Sequence, residues 1–132
     1  MSCLIASVLK IESCDSLHIV KFDFVGQILT MMSLELDEKI QLGIKVKLSI
    51  KPTAIAIAKD FNGVFSDSNQ IKTTIKSIQN GKLLSSITLK TIDGSLLESI
   101  ITKDSAINLK STDEVIAMIK ASDISISEII DV

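Results

Sequence analysis

The chain has no arginine, no tryptophan and no tyrosine; its 132 residues include one histidine, one proline and two cysteines. Each scarcity removes a class of function. Without Arg there is no planar guanidinium fork, so any bound anion must be held by ammonium groups, hydroxyls and backbone N–H. Four Phe are the only aromatics, too few for a base-stacking platform. The formal charge of −2 gives no basic footprint for nucleic acid and no polybasic patch for a membrane. His18 sits in a strand-like run, with no nucleophile–base pair, CxxC-type metal spacing or phosphate loop beside it. A protein that is not an enzyme, and that holds no metal site or organic cofactor, is therefore expected. No apolar run approaches the ~20 residues that cross a bilayer. The start of the chain lacks the basic region and small-residue cleavage site of a signal peptide, so the expected location is cytoplasmic.

Cys3 and Cys14 lie in one predicted strand. Their odd separation places them on opposite faces, roughly 35 Å apart at the usual rise, which excludes an intrachain disulfide unless that strand is broken.

What the chain does have is isoleucine. There are 23 copies, and 46% of the residues are hydrophobic. β-Branched aliphatics suit pleated, half-buried surfaces, so an all-β fold is expected. Strands are predicted over 2–13, 17–24, 28–33, 44–51 and 54–58. In the second of these Val20, Phe22 and Phe24 form a dry face. In the fourth Ile44, Val46, Leu48 and Ile50 point inward and Lys45, Lys47, Ser49 and Lys51 outward. Acidic first-turn residues and the terminal Gly43 predict a short helix over Leu34–Leu42. After the turn-rich stretch Lys59–Ser68 the pattern restarts, with strands over 70–78, 82–92, 95–102, 114–120 and 123–127. Asn80-Gly81 marks a hairpin, and 103–109 a short helical turn.

The restart is a repeat. Aligning Lys51 with Lys120 places Ser33 on Thr102, Val46 on Val115 and Ile50 on Ile119. The opening strands align two residues shorter (Leu4 on Ile71, Val8 on Ile75, Ile11 on Ile78), a difference assigned to the first hairpin. The predicted organisation is 1–60, a linker over 61–68, and 69–132. Halves this small are expected to pack on each other and to oligomerise. Each half carries a strand ending in Lys, a turn and another strand: Lys51-Pro52-Thr53 and Lys120-Ala121-Ser122. Hydroxyl and ammonium together suit an anion; equally, a Lys at a strand end suits a solvated surface. Thr102 and Ser105 have the spacing of a helix cap, and Ser66–Asn69 the composition of a linker. Met31, Met32 and Met118 are expected to be core fillers.

Three stretches of the second half resemble a known family. They are Ser66-Asp67-Ser68-Asn69-Gln70-Ile71, Ser99-Ile100-Ile101-Thr102-Lys103-Asp104-Ser105 and Ala117-Met118-Ile119-Lys120-Ala121-Ser122-Asp123-Ile124. The corresponding patterns of the Mop or TOBE domain are Ser-Ala-Arg-Asn-Gln-Leu, Ala-Ile-Ile-Thr-Asn-Glu-Ser and Ala-Ile-Ile-Lys-Ala-Ser-Asp-Val. The first half is similar more weakly, so the resemblance covers the chain as a tandem pair, like the double-domain molbindins. It implies two OB-like five-stranded β-barrels, each with one short helix, and molybdate or tungstate as the bound ligand. Storage, buffering or delivery of that oxyanion by a homo-oligomer, a trimer as in the family, is the implied role. The alternative is a ligand-sensing module acting through a partner such as a transcription regulator or transporter. The implied ligands are Lys120, Ala121 (through its backbone), Ser122, Thr102, Ser105, Ser66 and Asn69 from the second half, with Lys51, Thr53 and Ser33 from the first. Ser68 stands in place of the family's Arg, with Asp67 beside it, and Leu36 stands where Ser105 has its hydroxyl; fewer or weaker sites are the expected consequence.

Overall fold

Period-2 alternation of apolar residues produces ten strands in the computed structural model, which describes residues 2–131. They are β1 (Ser2–Cys14), β2 (Leu17–Phe24), β3 (Gln27–Ser33), β4 (Lys45–Ile50), β5 (Ala56–Ala58), β6 (Asn69–Asn80), β7 (Leu84–Lys90), β8 (Leu96–Thr102), β9 (Glu114–Ile119) and β10 (Ile124–Asp131). Among the described residues helical structure is limited to 3-10 turns at Pro52–Ala54, Asp104–Ala106 and Ala121–Asp123. The helix expected over Leu34–Leu42 does not form; that stretch is loop and turns. Side chains there take the local backbone donors: Ser33 Oγ accepts the Glu35 N–H at 3.2 Å and Asp37 Oδ1 the Lys39 N–H at 2.8 Å. Such bonds compete with the helical ladder. In the second repeat the expected turn over 103–109 contracts to Asp104–Ala106.

The strands form two antiparallel five-stranded sheets, ordered β10-β4-β1-β2-β3 and β5-β9-β6-β7-β8. In each, the two edge strands come into contact, β3 with β10 and β5 with β8, so the sheets curl towards barrels. The sheets do not follow the division 1–60 and 69–132. β10, at the end of the second repeat, pairs with β4, and β5, at the end of the first, pairs with β9. Each repeat thus completes its sheet with a strand from the other. A turn of the same form precedes each exchanged strand. Lys51 and Ile55, like Lys120 and Ile124, flank their 3-10 turns in extended conformation, and no residue from 51 to 55 or 120 to 124 has positive φ. The turns thus lack the positive φ of a two-residue hairpin such as Val25-Gly26, and the chain runs on into the other repeat's sheet. Ile55 and Ile124 then enter the core at 2% exposure each. Leu4, Phe22, Leu48, Ile71, Leu89 and Ile119 join them in one apolar cluster spanning both repeats.

Strand register refines the repeat. Ser2 pairs with Ile50 and Asn69 with Ile119, and β1 and β6 both break register one residue after their inward Val8 and Ile75. These equivalent bulges at Leu9 and Lys76 explain why the next inward residues, Ile11 and Ile78, come three positions later. The β1 bulge also brings Cys14 back to the face of Cys3, correcting the opposite-face assignment; both thiols are free and exposed. The two-residue length difference does not fall in the first hairpin, because Ser13–His18 and Asn80–Ser85 are equivalent pairs. One residue is added between β7 and β8: Phe24 pairs directly with Gln27, whereas Thr91 bonds to Ser95. The other is added before β9. The inward residues Leu29 and Met31 therefore correspond to Leu97 and Ser99, and Ser33 matches Ile101 rather than Thr102. A one-residue slip turns a side chain to the opposite face.

The linker is tied down by Lys59, whose Nζ lies 3.0 Å from Asp113 Oδ2 and donates to the Asn108 carbonyl at 3.0 Å. Buried side-chain N and O atoms all have hydrogen-bond partners among the described residues. No helix among them is long and apolar enough to cross a membrane.

Two outcomes follow. Ile124→Ala should cost about 2–4 kcal/mol, and hydrogen exchange should quicken in β4, in the other repeat; loss of protection confined to β9 would contradict the exchange of strands. The hydrogen bond from Lys59 and the Lys110 N–H hold the Asp113 carboxyl below its ordinary pKa. Its contribution is therefore present above about pH 4 and lost as pH falls through the depressed value. Comparing melting temperatures at pH 7 and pH 3, Asp113→Asn should show a smaller acid-induced drop than the unaltered chain.

Candidate functional site

The two Lys-bearing turns have the same backbone. Lys51 (φ −71°, ψ 139°) and Lys120 (φ −69°, ψ 150°) end their strands extended. Each turn closes on the lysine carbonyl, which accepts from Ala54 N at 2.9 Å and from Asp123 N at 3.0 Å. Both lysines are exposed, and among the described residues neither forms a salt bridge. Ser122 and Thr53 follow at equivalent exposed positions. The first N–H groups of such a turn have no partner within it. Ala121 and Ser122 thus present backbone donors beside Lys120, whereas Pro52 has no N–H to present. The first turn is one donor poorer.

Strand exchange decides what each turn rests on. Ala121–Asp123 packs against β3 of the first repeat, and Pro52–Ala54 against β8 of the second. Ser122 and Ser33 accordingly line one cleft of about 780 Å³, between β3, β10 and the 34–40 loop. Glu35, Asp37 and Glu128 line it too, against Lys39, and this excess of carboxylates opposes a dianion inside the cleft. Lys120 is exposed and stands outside the lining of this cleft, whereas Ser122 belongs to it.

The other expected ligands are distributed differently. Thr102 and Ser105 hydroxyls bond to each other at 2.8 Å, and the Ser105 N–H donates to Thr102 Oγ1 at 3.3 Å. This cap-like pair ends β8, the strand under the Lys51 turn. Ser66 is exposed in the linker. Asn69 is fully buried, with its side-chain amide bonded to the Thr30 backbone. Ser33 Oγ donates to the Glu35 carbonyl at 2.6 Å. Within one chain the set does not converge on a single point: Lys120, Ala121 and Ser122 form one wall, Lys51 and Thr53 another, and Thr102 with Ser105 lies with the second.

Residues 66–126 match the TOBE domain. No curated protein sequence matches the chain. The fold is shared with a crystal structure of ModG, a cytoplasmic molybdate-binding protein, in a form with molybdate bound. The two align with a TM-score of 0.88 over 94% of this chain and 93% of that one, at 22% identity. Likeness at that identity is one of fold: an all-β, tandem OB-like architecture. The TOBE-matched segment starts in the linker and ends within β10, so it contains the Lys120 turn, Thr102, Ser105, Ser66 and Asn69. It excludes β5, the strand that completes its own sheet.

Two polar residues important to the site's frame went unrecognised in the sequence. Ser99 is fully buried and donates to the Ile55 carbonyl at 2.6 Å, fastening β8 to the end of the Lys51 turn. Ser2 Oγ accepts the Glu98 N–H at 2.7 Å; extending the Leu4–Ile71 alignment back two positions places it on Asn69. A hydroxyl–imidazole contact also exists, Ser13 Oγ to His18 Nδ1 at 2.7 Å, exposed across the first hairpin. Among the described residues no group of three or more His, Cys, Asp or Glu is placed to hold a metal ion. Ser99→Ala, which strands a buried carbonyl, should lower stability by about 1–3 kcal/mol. Thr102→Ala, at an exposed turn, should cost about 1 kcal/mol or less; chemical denaturation of both variants checks the difference.

Proposed function

We propose that this protein is a binding protein, not an enzyme, for a tetrahedral oxyanion, molybdate or tungstate, which it stores, buffers or delivers in the cytoplasm. The observation that carries this is the Lys120-Ala121-Ser122 turn. It carries an exposed ammonium that has no salt-bridge partner among the described residues, beside a hydroxyl and backbone donors the turn itself leaves unused, inside the TOBE-matched segment. Its twin at Lys51 has the same backbone, and the fold is that of ModG, which binds molybdate. A dianion needs several convergent donors and positive charge to offset its desolvation. One turn supplies part of that shell.

The remainder is supplied by a neighbouring subunit, in a homo-oligomer proposed to be a trimer. Two features support this. Lys120 and Ser122 are exposed, and Ile28, Met32 and Leu34 leave exposed apolar surface on β3 and just after it. Burial of both at an interface would strengthen each bond to the anion. Thr102 and Ser105 complete the shell from β8 of whichever subunit meets the turn, and Ser66 approaches from the linker. Selectivity over sulfate follows from cavity size, and the Lys51–Pro52–Thr53 site, with one backbone donor fewer, is the weaker of the two.

Calorimetric titration of the full chain with molybdate, tungstate and sulfate tests the proposal. Heat with the first two beyond the sulfate control is expected; its absence refutes oxyanion binding. Lys120→Ala should weaken binding about tenfold or more, Lys45→Ala should leave it unchanged, and Pro52→Ala should strengthen the weaker class of site. Light scattering should give the mass of three chains.

A further inference from the structure

We propose that Asn69 is a positioning residue of the Lys120 site, acting through β3, and not itself an anion ligand; this rests on the oxyanion reading of that site. The position of Asn69 is fixed from two sides. Through the backbone it opens β6 and pairs with Ile119, the residue immediately before Lys120. Through its side chain it reaches into the other repeat. Asn69 Oδ1 accepts the Thr30 N–H at 2.7 Å, and Asn69 Nδ2 donates to the Thr30 carbonyl at 2.9 Å.

The amide thus does at one residue what a neighbouring strand would do, capping the outer edge of β3. The Ala121–Asp123 turn packs on that same strand. Lys120 therefore stands in a closed frame: Ile119 to Asn69 by strand pairing, Asn69 to Thr30 by the side chain, and β3 back to the turn by packing. Asn69 is fully buried with both ends of its amide engaged by the Thr30 backbone, whereas Lys120 and Ser122 are exposed.

The first repeat contains the same frame with a weaker fastening. Ser2 pairs with Ile50, the residue before Lys51, and its Oγ accepts the Glu98 N–H of β8, on which the Pro52–Ala54 turn packs. Thr30 and Glu98 are equivalent by register. Asn provides two bonds where Ser provides one, so the Lys120 turn is the more firmly held, in keeping with its greater number of backbone donors.

The test combines tungstate titration with NMR on the full chain. Asn69→Ala should speed exchange of the Thr30 amide and weaken tungstate binding about tenfold or more, the scale typical of outer-shell partners. Asn69→Ser, which can keep the bond from Thr30 N–H as Ser2 does for Glu98, should recover part of both and guards against failure of the Ala variant to fold. Lys120→Ala should lose binding while Thr30 stays protected. Saturating the unaltered chain with tungstate should shift the Ser122 backbone amide and leave the Asn69 side-chain amide in place. A tungstate-induced shift of the Asn69 amide comparable to that of Ser122 would make it a ligand and overturn the proposal. So would wild-type affinity in Asn69→Ala once Thr30 is deprotected. Failure of the unaltered chain to bind tungstate would instead refute the oxyanion reading, an outcome separate from a loss confined to the Asn69 variants.

Discussion

The constraint on which the rest of the structure depends is the pairing of β10 with β4 and of β5 with β9. Neither repeat has a complete sheet of its own. The hydrophobic consequence is a shared core, since Ile55 and Ile124 each leave the repeat that encodes them and are buried in one cluster with residues of both. Burying apolar surface from two ~60-residue halves together raises the fraction removed from water above what either could reach alone. The exchange also removes the independence of the halves, because a change in one exchanged strand is felt in the sheet of the other.

The same pairing shapes the candidate site. A Lys turn precedes each exchanged strand, so each turn is delivered to the third strand of the opposite repeat, Lys120 to β3 and Lys51 to β8. Side chains that cross between repeats at those points, Asn69 to Thr30, Ser2 to Glu98 and Ser99 to Ile55, are short and buried or nearly so. Buried polar groups of this kind must be satisfied, and one relative arrangement of the two repeats satisfies them all. The cleft beside the Lys120 turn carries Glu35, Asp37 and Glu128 together with Ser122, and Lys120 is exposed outside its lining.

Most of the strand structure was legible because burial enforces alternation. Val20, Phe22 and Phe24, and Val46, Leu48 and Ile50, are inward and fully buried as their spacing predicted. The helix over 34–42 was misjudged because acidic residues and a terminal Gly are as compatible with side-chain-capped turns as with a helix. Placing Ser33 on Thr102 failed because one residue is added between β7 and β8 and another before β9; that alignment required both to lie earlier, and the slip reverses the face. Of the expected ligands, the two turns have the matching conformations that their shared pattern suggested. Thr102 with Ser105, and Asn69, instead engage one another or the backbone. Hydrogen bonds of that kind depend on which strand lies alongside, and the sequence of one strand does not name its neighbour.

The sequence by itself determined the all-β character, the duplication, the absence of arginine from any anion site and the identity of the two Lys turns. Those properties follow from composition and from period-2 patterning, which are local. Only the tertiary structure decided that the fifth strands exchange, that Ser33 and Thr102 are not equivalent, and that Asn69 faces Thr30. The alternation of a single strand carries no mark of which repeat's sheet it joins. The choice is expressed in long-range hydrogen bonds that form only once the two repeats have met.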